Sequence, residues 1–324
     1  MSLIDPFGRK INYLRLSVTD RCNMRCCYCM PAAGVDKLAP HNILSYEDLY
    51  RIARVAVGQG IEKIRVTGGE PLVRKGIIEF LARLKALPGL KELVLTSNGQ
   101  LLPELAASLR IAGVQRVNIS LDSLTPETFV AITRTGDLRQ VVDGLMAAER
   151  VGLRVKINMV VMRGVNDSEI EDFAELTLAR PVTVRFIEYM PSLKAGDWRS
   201  QVISGDEIIH RLAARYALRS VDGGERSGPA RNFRINGAIG EIGVITAVSG
   251  HFCNSCNRVR VTATGTARSC LFSDAGVDLR PLLARDNQAL AEGLRRVVAG
   301  KPSQHDLAGD QDGYQAFAMA AIGG

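Results

Sequence analysis

The segment CNMRCCYC, from residue 22 to residue 29, sets Cys22, Cys26 and Cys29 at a C-x3-C-x2-C spacing. It closely follows an apolar, β-branched run at 14–18, which is typical of a β-strand. One loop of this length can hold three thiolates around a cubane iron-sulfur cluster and leave one iron without a protein ligand. Because an open metal position distinguishes a catalytic site from a closed structural one, the spacing predicts a catalytic cluster.

A structural zinc site is the alternative for these cysteines. It would need a fourth ligand, either Cys27 or a residue distant in the sequence. Cys27 is adjacent to Cys26, so its side chain is expected to point away from the other three thiols. We expect Cys27 to be a small packed residue instead.

Apolar runs continue along the chain, and helical stretches separate them. The runs lie at 14–18, 61–67, 93–96, 117–121, 155–162 and 183–187. Alternating strands and helices pair the strands in parallel through right-handed crossovers. The sequence therefore predicts an α/β fold of six βα units, either a doubly wound sheet or a full or partial barrel.

The pattern changes after Trp198, where GDEIIHRLAARY at 205–216 predicts a helix and a glycine-rich stretch at 222–228 indicates a boundary. We therefore predict two domains, at 1–220 and 221–324. Within the second, the runs at 242–248 and 258–264 alternate in hydrophobicity and are β-branched. They predict short antiparallel strands on either side of a second group of cysteines.

Three short polar motifs lie where predicted strands end: TGGEP at 67–71, TSNG at 96–99 and ISLDS at 119–123. In parallel α/β folds the loops at the carboxyl ends of the strands form the ligand site. The glycines Gly68 and Gly69 permit close backbone approach to a ligand, and Glu70 can accept a hydrogen bond from an ammonium group. We expect these loops to converge with the first cysteine group.

The second cysteine group places Cys253, Cys256 and Cys270 at a C-x2-C-x13-C spacing. Three thiolates again leave a cluster with an open iron. A zinc site made of these cysteines and His251, two residues before Cys253, is the competing interpretation.

Two arginines follow this group at alternate positions, Arg258 and Arg260. If 257–261 is a strand, both side chains project from one face beside the cluster. Guanidinium groups suit bidentate phosphate recognition, and the sequence contains no G-x-x-x-x-G-K-[ST] loop that would bind a nucleotide otherwise. The pair therefore predicts an anion-binding fork, whereas paired arginines without neighbouring cysteines are usually solvated surface charges.

Composition narrows the function classes. Six of the seven cysteines form two tight groups, which indicates metal binding rather than a disulfide framework. The net charge of +7 comes from dispersed lysines and arginines without a basic run, so a small polyanionic ligand is favoured over nucleic acid. The sequence shows neither a signal-peptide pattern nor an apolar run of about 18 residues, so we expect a cytoplasmic protein without a membrane partner.

The CxxxCxxC spacing, with Tyr28 before the last cysteine and the strand-end motifs in order behind it, resembles the signature of the radical S-adenosylmethionine (SAM) superfamily. The resemblance implies an incomplete (βα)6 barrel and an open iron that binds SAM and cleaves it reductively to a 5′-deoxyadenosyl radical. It also implies four SAM contacts, the last of which lies in IEYMP: Tyr28, Gly69, Ser120 and Met190.

With the second cysteine group and the RVR motif behind it, nearly the whole chain resembles the GTP 3′,8-cyclase family of molybdenum cofactor biosynthesis. The resemblance implies two 4Fe-4S clusters, one of them in a smaller C-terminal α+β domain where its open iron binds the guanine of GTP. The implied GTP contacts are Arg15, Arg65, Thr96, Lys156, Arg258, Val259 and Arg260. Catalytic roles are implied for Arg258, Arg260 and the Gly323-Gly324 tail, which is expected to reach the active site.

The same resemblance implies a homodimer, an external electron donor and a downstream cyclic pyranopterin monophosphate synthase. For Arg15, Arg65 and Lys156, cations among apolar neighbours, the alternative to binding GTP is ion pairing with core carboxylates. The candidate carboxylates are Asp20, Glu70 and Glu188.

Other functions stay open on the sequence. One is a two-cluster radical SAM enzyme that modifies a peptide, although such enzymes often carry more than three extra cysteines. Another is a zinc or iron-sulfur module that binds nucleic acid, with steep salt dependence. A simple electron carrier would normally close its cluster with four cysteines.

Overall fold

The architecture is taken from a computed structural model, which describes residues 2–190, 198–222, 228–250, 252–273, 275–305 and 319–322. Its strands are β1 (Leu3–Ile4), β2 (Lys10–Ile11), β3 (Tyr13–Ser17), β4 (Lys63–Thr67), β5 (Glu92–Ser97), β6 (Arg116–Ser120), β7 (Arg154–Val161), β8 (Thr183–Glu188), β9 (Leu218–Val221), β10 (Arg231–Ile235), β11 (Glu241–Ile245), β12 (Arg258–Val261), β13 (Thr266–Arg268) and β14 (Gly276–Asp278).

The α-helices are α1 (Tyr46–Gly58), α2 (Ile77–Lys85), α3 (Leu102–Ile111), α4 (Pro126–Thr133), α5 (Leu138–Arg150), α6 (Ile170–Ala179), α7 (Gly205–Arg215), α8 (Arg280–Leu283), α9 (Asn287–Ala299) and α10 (Met319–Ile322). Short 3-10 turns occupy Pro40–Asn42, Pro71–Val73, Asp167–Glu169, Trp198–Gln201 and Cys253–Ser255.

Local sequence explains where several helices begin. Helices α1, α5, α7 and α9 each begin at a residue whose side chain accepts a hydrogen bond from a backbone N–H of the first turn. These capping residues are Ser45, Asp137, Ser204 and Asp286. Such caps satisfy donors that the first helical turn leaves unpaired, and each contributes about 1 kcal/mol. No helix within the described ranges combines the length and apolarity that crossing a membrane requires.

The six predicted strands form the centre of the fold. Strands β3 to β8 pair in parallel in sequence order, with helices between consecutive strands. The prediction of six βα units is confirmed, and the arrangement is the partial (βα)6 barrel.

Side chains alternate between two environments along these strands. On β3 and β4, Leu14, Leu16, Ile64 and Val66 are fully buried in the apolar core. At alternate positions of the same strands, Tyr13, Arg15, Arg65 and Thr67 face the opposite side and line a cavity. This period of two places the core and the cavity on opposite faces of one sheet.

The prediction of simple antiparallel strands around the second cysteine group is wrong in part. Strand β11 pairs in parallel with β8 and antiparallel with β10, and strand β12 pairs in parallel with β3 and antiparallel with β13. Alternating hydrophobicity identifies a strand but not the direction of its partner, which here is distant in sequence. The carboxyl-terminal part of the chain thus extends both edges of the central sheet, in the order β14-β13-β12-β3-β4-β5-β6-β7-β8-β11-β10-β9.

The division into domains 1–220 and 221–324 stays a prediction. Strand β9 runs through the proposed boundary and pairs with β10.

Candidate active site

One cavity of about 290 Å³ opens at the carboxyl ends of the parallel strands and extends toward the second cysteine group. Most of the predicted site residues line it, from both halves of the chain. They are Arg15, Cys22, Cys26, Tyr28, Cys29, Arg65, Gly69, Thr96, Ser120, Met190, Cys253, Cys256, Arg258, Arg260 and Cys270. The fold therefore brings both cysteine groups, about 230 residues apart, to one space.

The first cysteine loop is held against helix α4. The backbone N–H of Cys27 donates to the carbonyl of Ile132 (2.9 Å), and the N–H of Cys29 donates to the carbonyl of Cys26 (2.9 Å). Burial raises the pKa of the Cys26 thiol well above its usual range, and the charges of Asp122, Cys29 and Cys22 add to the effect. Cys22, Cys26 and Cys29 are free cysteines, and all three line the cavity.

Glu70 joins two of the strand-end loops. Its carboxylate accepts hydrogen bonds from the N–H of Leu72 (3.0 Å), the hydroxyl of Ser97 (3.0 Å) and the N–H of Asn98 (2.7 Å). Burial raises the pKa of Glu70 to about 7, while these donors oppose the shift. Asn98 in turn contacts the Cys22 sulfur (3.9 Å), so the TGGEP and TSNG loops support the first cysteine group.

Gly69 lets the TGGEP loop pack directly against the backbone of residues 19–21. Its N–H donates to the carbonyl of Thr19 (2.7 Å), and a Cβ at this position would lie less than 3 Å from the carbonyl oxygens of Asp20 and Arg21. Only a residue without a side chain fits this crossing of two loops.

Asp122 is a site residue that the sequence did not single out, although it lies in the ISLDS motif. It accepts a hydrogen bond from the Tyr28 hydroxyl (2.7 Å) and another from the N–H of Val160 (2.8 Å). Burial raises the pKa of Asp122 to about 6. The pair fixes the Tyr28 ring at the cavity wall beside the first cysteine group.

The second cysteine group has a more cationic environment. Burial alone would raise the pKa of the Cys256 thiol, but the charges of Arg258 and Lys301 lower it to about 6. Burial and the charge of Arg258 lower the pKa of Arg260 to about 10, while the charges of Cys270 and Cys256 oppose that shift. A stabilised thiolate is the form that binds a metal.

Aromatic side chains cover this second group. The ring of His305 lies 4.7 Å from that of Phe272 and 6.5 Å from that of Phe252, and all three line the cavity. The sequence alone offered no signal for them, because they come from separate segments without a motif.

Arginines occupy matching positions on adjacent strands. Arg260 on β12 pairs with Arg15 on β3, which pairs with Arg65 on β4. Arg185 on β8 faces the same cavity, although the sequence interpretation did not identify it. Burial, and then the charge of Arg65, lowers the pKa of Arg15 well below its usual range and that of Arg185 to about 9. This concentration of positive charge favours a bound polyanion.

Several buried polar atoms that line the cavity have no hydrogen-bond partner within the described residues. Buried polar groups are nearly always paired in native proteins, so these atoms indicate a polar ligand. They are Tyr13 Oη, Arg65 Nε, Thr96 Oγ1, Asn158 Oδ1, Arg185 Nε and Arg260 Nη1.

The carboxylates considered as alternative partners of these cations bond to backbone donors instead. Glu70 bonds as described above, and Glu188 accepts the N–H groups of Gly205 (2.6 Å) and Val248 (2.6 Å). Asp20 accepts the N–H of Leu38 (2.9 Å). Among the described residues, the donors to Glu70, Glu188 and Asp20 are therefore backbone N–H groups and, for the two glutamates, serine hydroxyls.

Two predicted GTP contacts do not line the cavity. Lys156 lies on the same face of β7 as Asn158, two residues farther from the carboxyl end of the strand, and burial lowers its pKa to about 6. The Val259 side chain belongs to the apolar core, because it points to the opposite face of β12 from Arg258 and Arg260.

Other predicted residues lie elsewhere. Cys27 packs against a small apolar cluster around Met162 and Tyr189, consistent with a packed residue. His251, Gly323 and Gly324 lie outside the described residues. The helix α10 before the two glycines reaches the first cysteine loop, since the N–H of Met319 donates to the carbonyl of Cys29 (3.2 Å).

Comparison with protein families gives two matches. Residues 16–177 match the radical SAM superfamily, and residues 182–307 match the family described as Molybdenum Cofactor Synthesis C. Among curated proteins, the chain is 64% identical to the GTP 3′,8-cyclase of Geobacter sulfurreducens over 100% of both chains. It is 47% identical to that of Heliobacterium modesticaldum, over 99% of this chain and 100% of the relative.

Solved structures show the same fold at low identity. Streptococcus suis SuiB bound to S-adenosylmethionine has a TM-score of 0.60 at 14% identity, covering 89% of this chain and 69% of SuiB. Native anSMEcpe with bound AdoMet has a TM-score of 0.59 at 15% identity, covering 87% of this chain and 81% of that chain.

Proposed function

Because the chain belongs to the radical SAM superfamily and, over its full length, to the GTP 3′,8-cyclase family, we propose the reaction of that family as its function. It converts GTP to (8S)-3′,8-cyclo-7,8-dihydroguanosine 5′-triphosphate in molybdenum cofactor biosynthesis, using SAM and two 4Fe-4S clusters. The observation that carries the proposal is the meeting of both cysteine groups and the buried arginines at one cavity.

In this proposal Cys22, Cys26 and Cys29 hold the first cluster and Cys253, Cys256 and Cys270 hold the second. When bound, the first cluster supplies the electron that cleaves SAM to the radical that abstracts a ribose hydrogen from GTP. The chain's own residues bind, orient and shield the reactants, because radical chemistry belongs to the cofactors.

The SAM contacts are Tyr28, Gly69, Ser120 and Met190. Tyr28 is fixed by its hydrogen bond to Asp122, and Gly69 lets the ligand approach the backbone. The proposal is supported by the fact that all four line the same cavity as the first cysteine group, at the rim where ligands bind in parallel α/β folds.

We place the triphosphate of GTP against the cations of the cavity. Of the contacts predicted from the sequence, Arg15, Arg65, Arg258 and Arg260 line it, whereas Lys156 does not and would have to reach the ligand from its place on β7; the lining adds Arg185. Val259 contributes at most through its backbone, since its side chain lies in the core. Thr96, whose hydroxyl has no partner within the described residues, donates or accepts one further hydrogen bond.

Arg258, Arg260 and the Gly323-Gly324 tail complete the catalytic set. The two arginines act beside the second cluster, where their charge neutralises the phosphates. The contact of Met319 with the first cysteine loop supports a tail that reaches the cavity.

We propose the family's partners and location for this chain as well. They are a homodimer in the cytoplasm, an external electron donor, and a cyclic pyranopterin monophosphate synthase that takes the product. A peptide substrate is less consistent with the cavity, because its clustered arginines suit a compact polyanion.

The test is an anaerobic assay of reconstituted protein with dithionite, SAM and GTP, in which 5′-deoxyadenosine and nucleotide products are separated by chromatography. We expect GTP-dependent 5′-deoxyadenosine and a cyclised nucleotide. A variant with Cys253, Cys256 and Cys270 changed to alanine is expected to keep the first cluster and bind SAM but to form no cyclised nucleotide. Formation of 5′-deoxyadenosine regardless of GTP, without cyclised product from the wild type, would refute GTP as the substrate.

A further inference from the structure

Lys301 is a buried cation outside the strands of the barrel. It lies two residues after helix α9, and only 5% of its surface is exposed. Its ammonium donates to the carbonyls of Arg258 (3.0 Å) and Ser269 (2.6 Å). Arg258 follows Cys256 by two residues and Ser269 immediately precedes Cys270, so one side chain ties together the two segments that carry these cysteines.

The charge of Lys301 is balanced by sulfur. Burial lowers the pKa of Lys301, and the charge of Cys256, a hydrogen bond with the Cys256 thiol and the charge of Cys270 oppose that shift. Within the described ranges no Asp or Glu carboxylate forms an ion pair with Lys301. A buried charge needs a partner, and the two thiolates fill that place.

The segment that begins with Lys301 is anchored to the third cysteine as well. Arg9, from the β1–β2 hairpin, donates to the carbonyls of Cys253 (2.7 Å), Pro302 (2.6 Å) and Ser303 (3.0 Å). Asp5 holds the Arg9 guanidinium in place through an ion pair. The segments that carry all three cysteines are therefore tied to residues 301–303 by charge-assisted hydrogen bonds, either from Lys301 or through Arg9.

We propose that Lys301 is a positioning residue for the second cysteine group, which sets the separation of Cys256 and Cys270 and balances the negative charge of their thiolates. This inference rests on the proposed function, in which these cysteines hold the second cluster. Hydrogen bonds and charges around cluster sulfurs tune both assembly and reduction potential, so loss of this ammonium changes both.

The experiment compares the reconstituted full-length wild type with K301M, K301Q and the control K91M. Met removes charge and hydrogen bonds, whereas Gln removes the charge and keeps a donor. Lys91 is a matched control because its side chain is 56% exposed and pairs with Glu62 at the surface. For each protein we measure iron and sulfide per chain, the cluster signals in electron paramagnetic resonance, the reduction potentials, and the affinity for SAM.

For K301M we expect iron to fall from about eight to about four per chain, with the first cluster's signal kept and SAM affinity within about twofold of the wild type. For K301Q we expect near-complete iron and a second-cluster potential that is more negative, because removal of a cation favours the oxidised form. K91M is expected to match the wild type throughout.

Retention of about eight irons and an unchanged second-cluster potential in both Lys301 variants would overturn the inference. If K301M loses both clusters through misfolding, K301Q decides by the same criterion of its second-cluster potential. A wild type that binds only about four irons, with SAM binding intact, would instead refute the two-cluster function on which the inference rests.

Discussion

Replacing Arg185 with methionine is predicted to stabilise the GTP-free protein while it weakens GTP binding. Arg185 is 6% exposed, and its Nε has no hydrogen-bond partner in the part of the chain that the structure describes. Burial and the neighbouring charges of Arg65 and Arg116 make its charged form unfavourable in the folded state. Methionine fills a similar volume without a charge.

The size of the effect follows from the pKa of Arg185, which is lowered from 12.5 to about 9. That difference corresponds to about 5 kcal/mol of unfavourable charging. Because the folded-state pKa is the lower one, this penalty is fully present at pH 7 and disappears only as the pH rises from about 9 to 12.5. Water and buffer ions relieve part of it, so we expect R185M to gain about 2–4 kcal/mol.

For a chain of 324 residues, with an unfolding entropy of about 0.7 kcal/mol/K, this gain raises the Tm by about 3–6 °C. Calorimetry of the anaerobic holoenzyme in phosphate-free buffer measures it. Loss of one charge-assisted hydrogen bond, worth about 1.5–3 kcal/mol, should weaken GTP binding about 10- to 100-fold in equilibrium binding.

Arg116 supplies the matched control for this prediction. It belongs to the same group of cations, but its guanidinium pairs with Glu92 at 2.6 Å. R116M should therefore lower stability by about 1–3 kcal/mol. The loss is limited because Glu92 keeps a second ion pair, with Lys63, when Arg116 is removed. A lower Tm for R185M, or equal shifts for both variants, would refute the electrostatic reasoning.

Three further predictions concern the loops and the tail. G69A should lower stability by about 1–3 kcal/mol in calorimetry and reduce SAM affinity at least tenfold in equilibrium binding, because its Cβ would overlap backbone carbonyls. The control G58A, whose Cβ would meet open space, should be neutral or slightly stabilising, and equal effects of the two substitutions would contradict the prediction. The pKa of Glu70 in the folded protein is raised to about 7, so its contribution to stability is fully present below about pH 4.5 and is lost as the pH rises through 7. In denaturant titrations, the difference in unfolding free energy between E70Q and the wild type should therefore change by up to about 3 kcal/mol across this pH range, and a constant difference would show that Glu70 does not titrate there. Deletion of Gly323 and Gly324 should abolish GTP turnover while iron content and cluster spectra stay at wild-type levels, and full activity of the truncated protein would rule out a role for the tail.

The local parts of the site were accessible from sequence because local patterns encode them. A C-x3-C-x2-C spacing limits how far apart three thiols can lie, and alternating βα patterns place strand-end loops on one rim. The motifs containing Gly69, Thr96 and Ser120 were therefore expected to converge, and all three residues line the cavity. Asp122 was missed within the same motifs, because a carboxylate in a loop carries no pattern that distinguishes a structural hydrogen bond from solvation.

The sequence by itself determined the six parallel βα units, the two groups of three cysteines, and the alternate placement of Arg258 and Arg260 on one strand face. Only the tertiary structure decided that β12 lies parallel to β3, so that Arg260 stands beside Arg15 and the second cysteine group opens onto the same cavity as the first. It also decided that Arg185 joins these cations and that Lys301 lies behind the second cysteine group. The physical reason is that periodicity fixes which face a side chain occupies, whereas its neighbours depend on strand pairing between segments more than 200 residues apart.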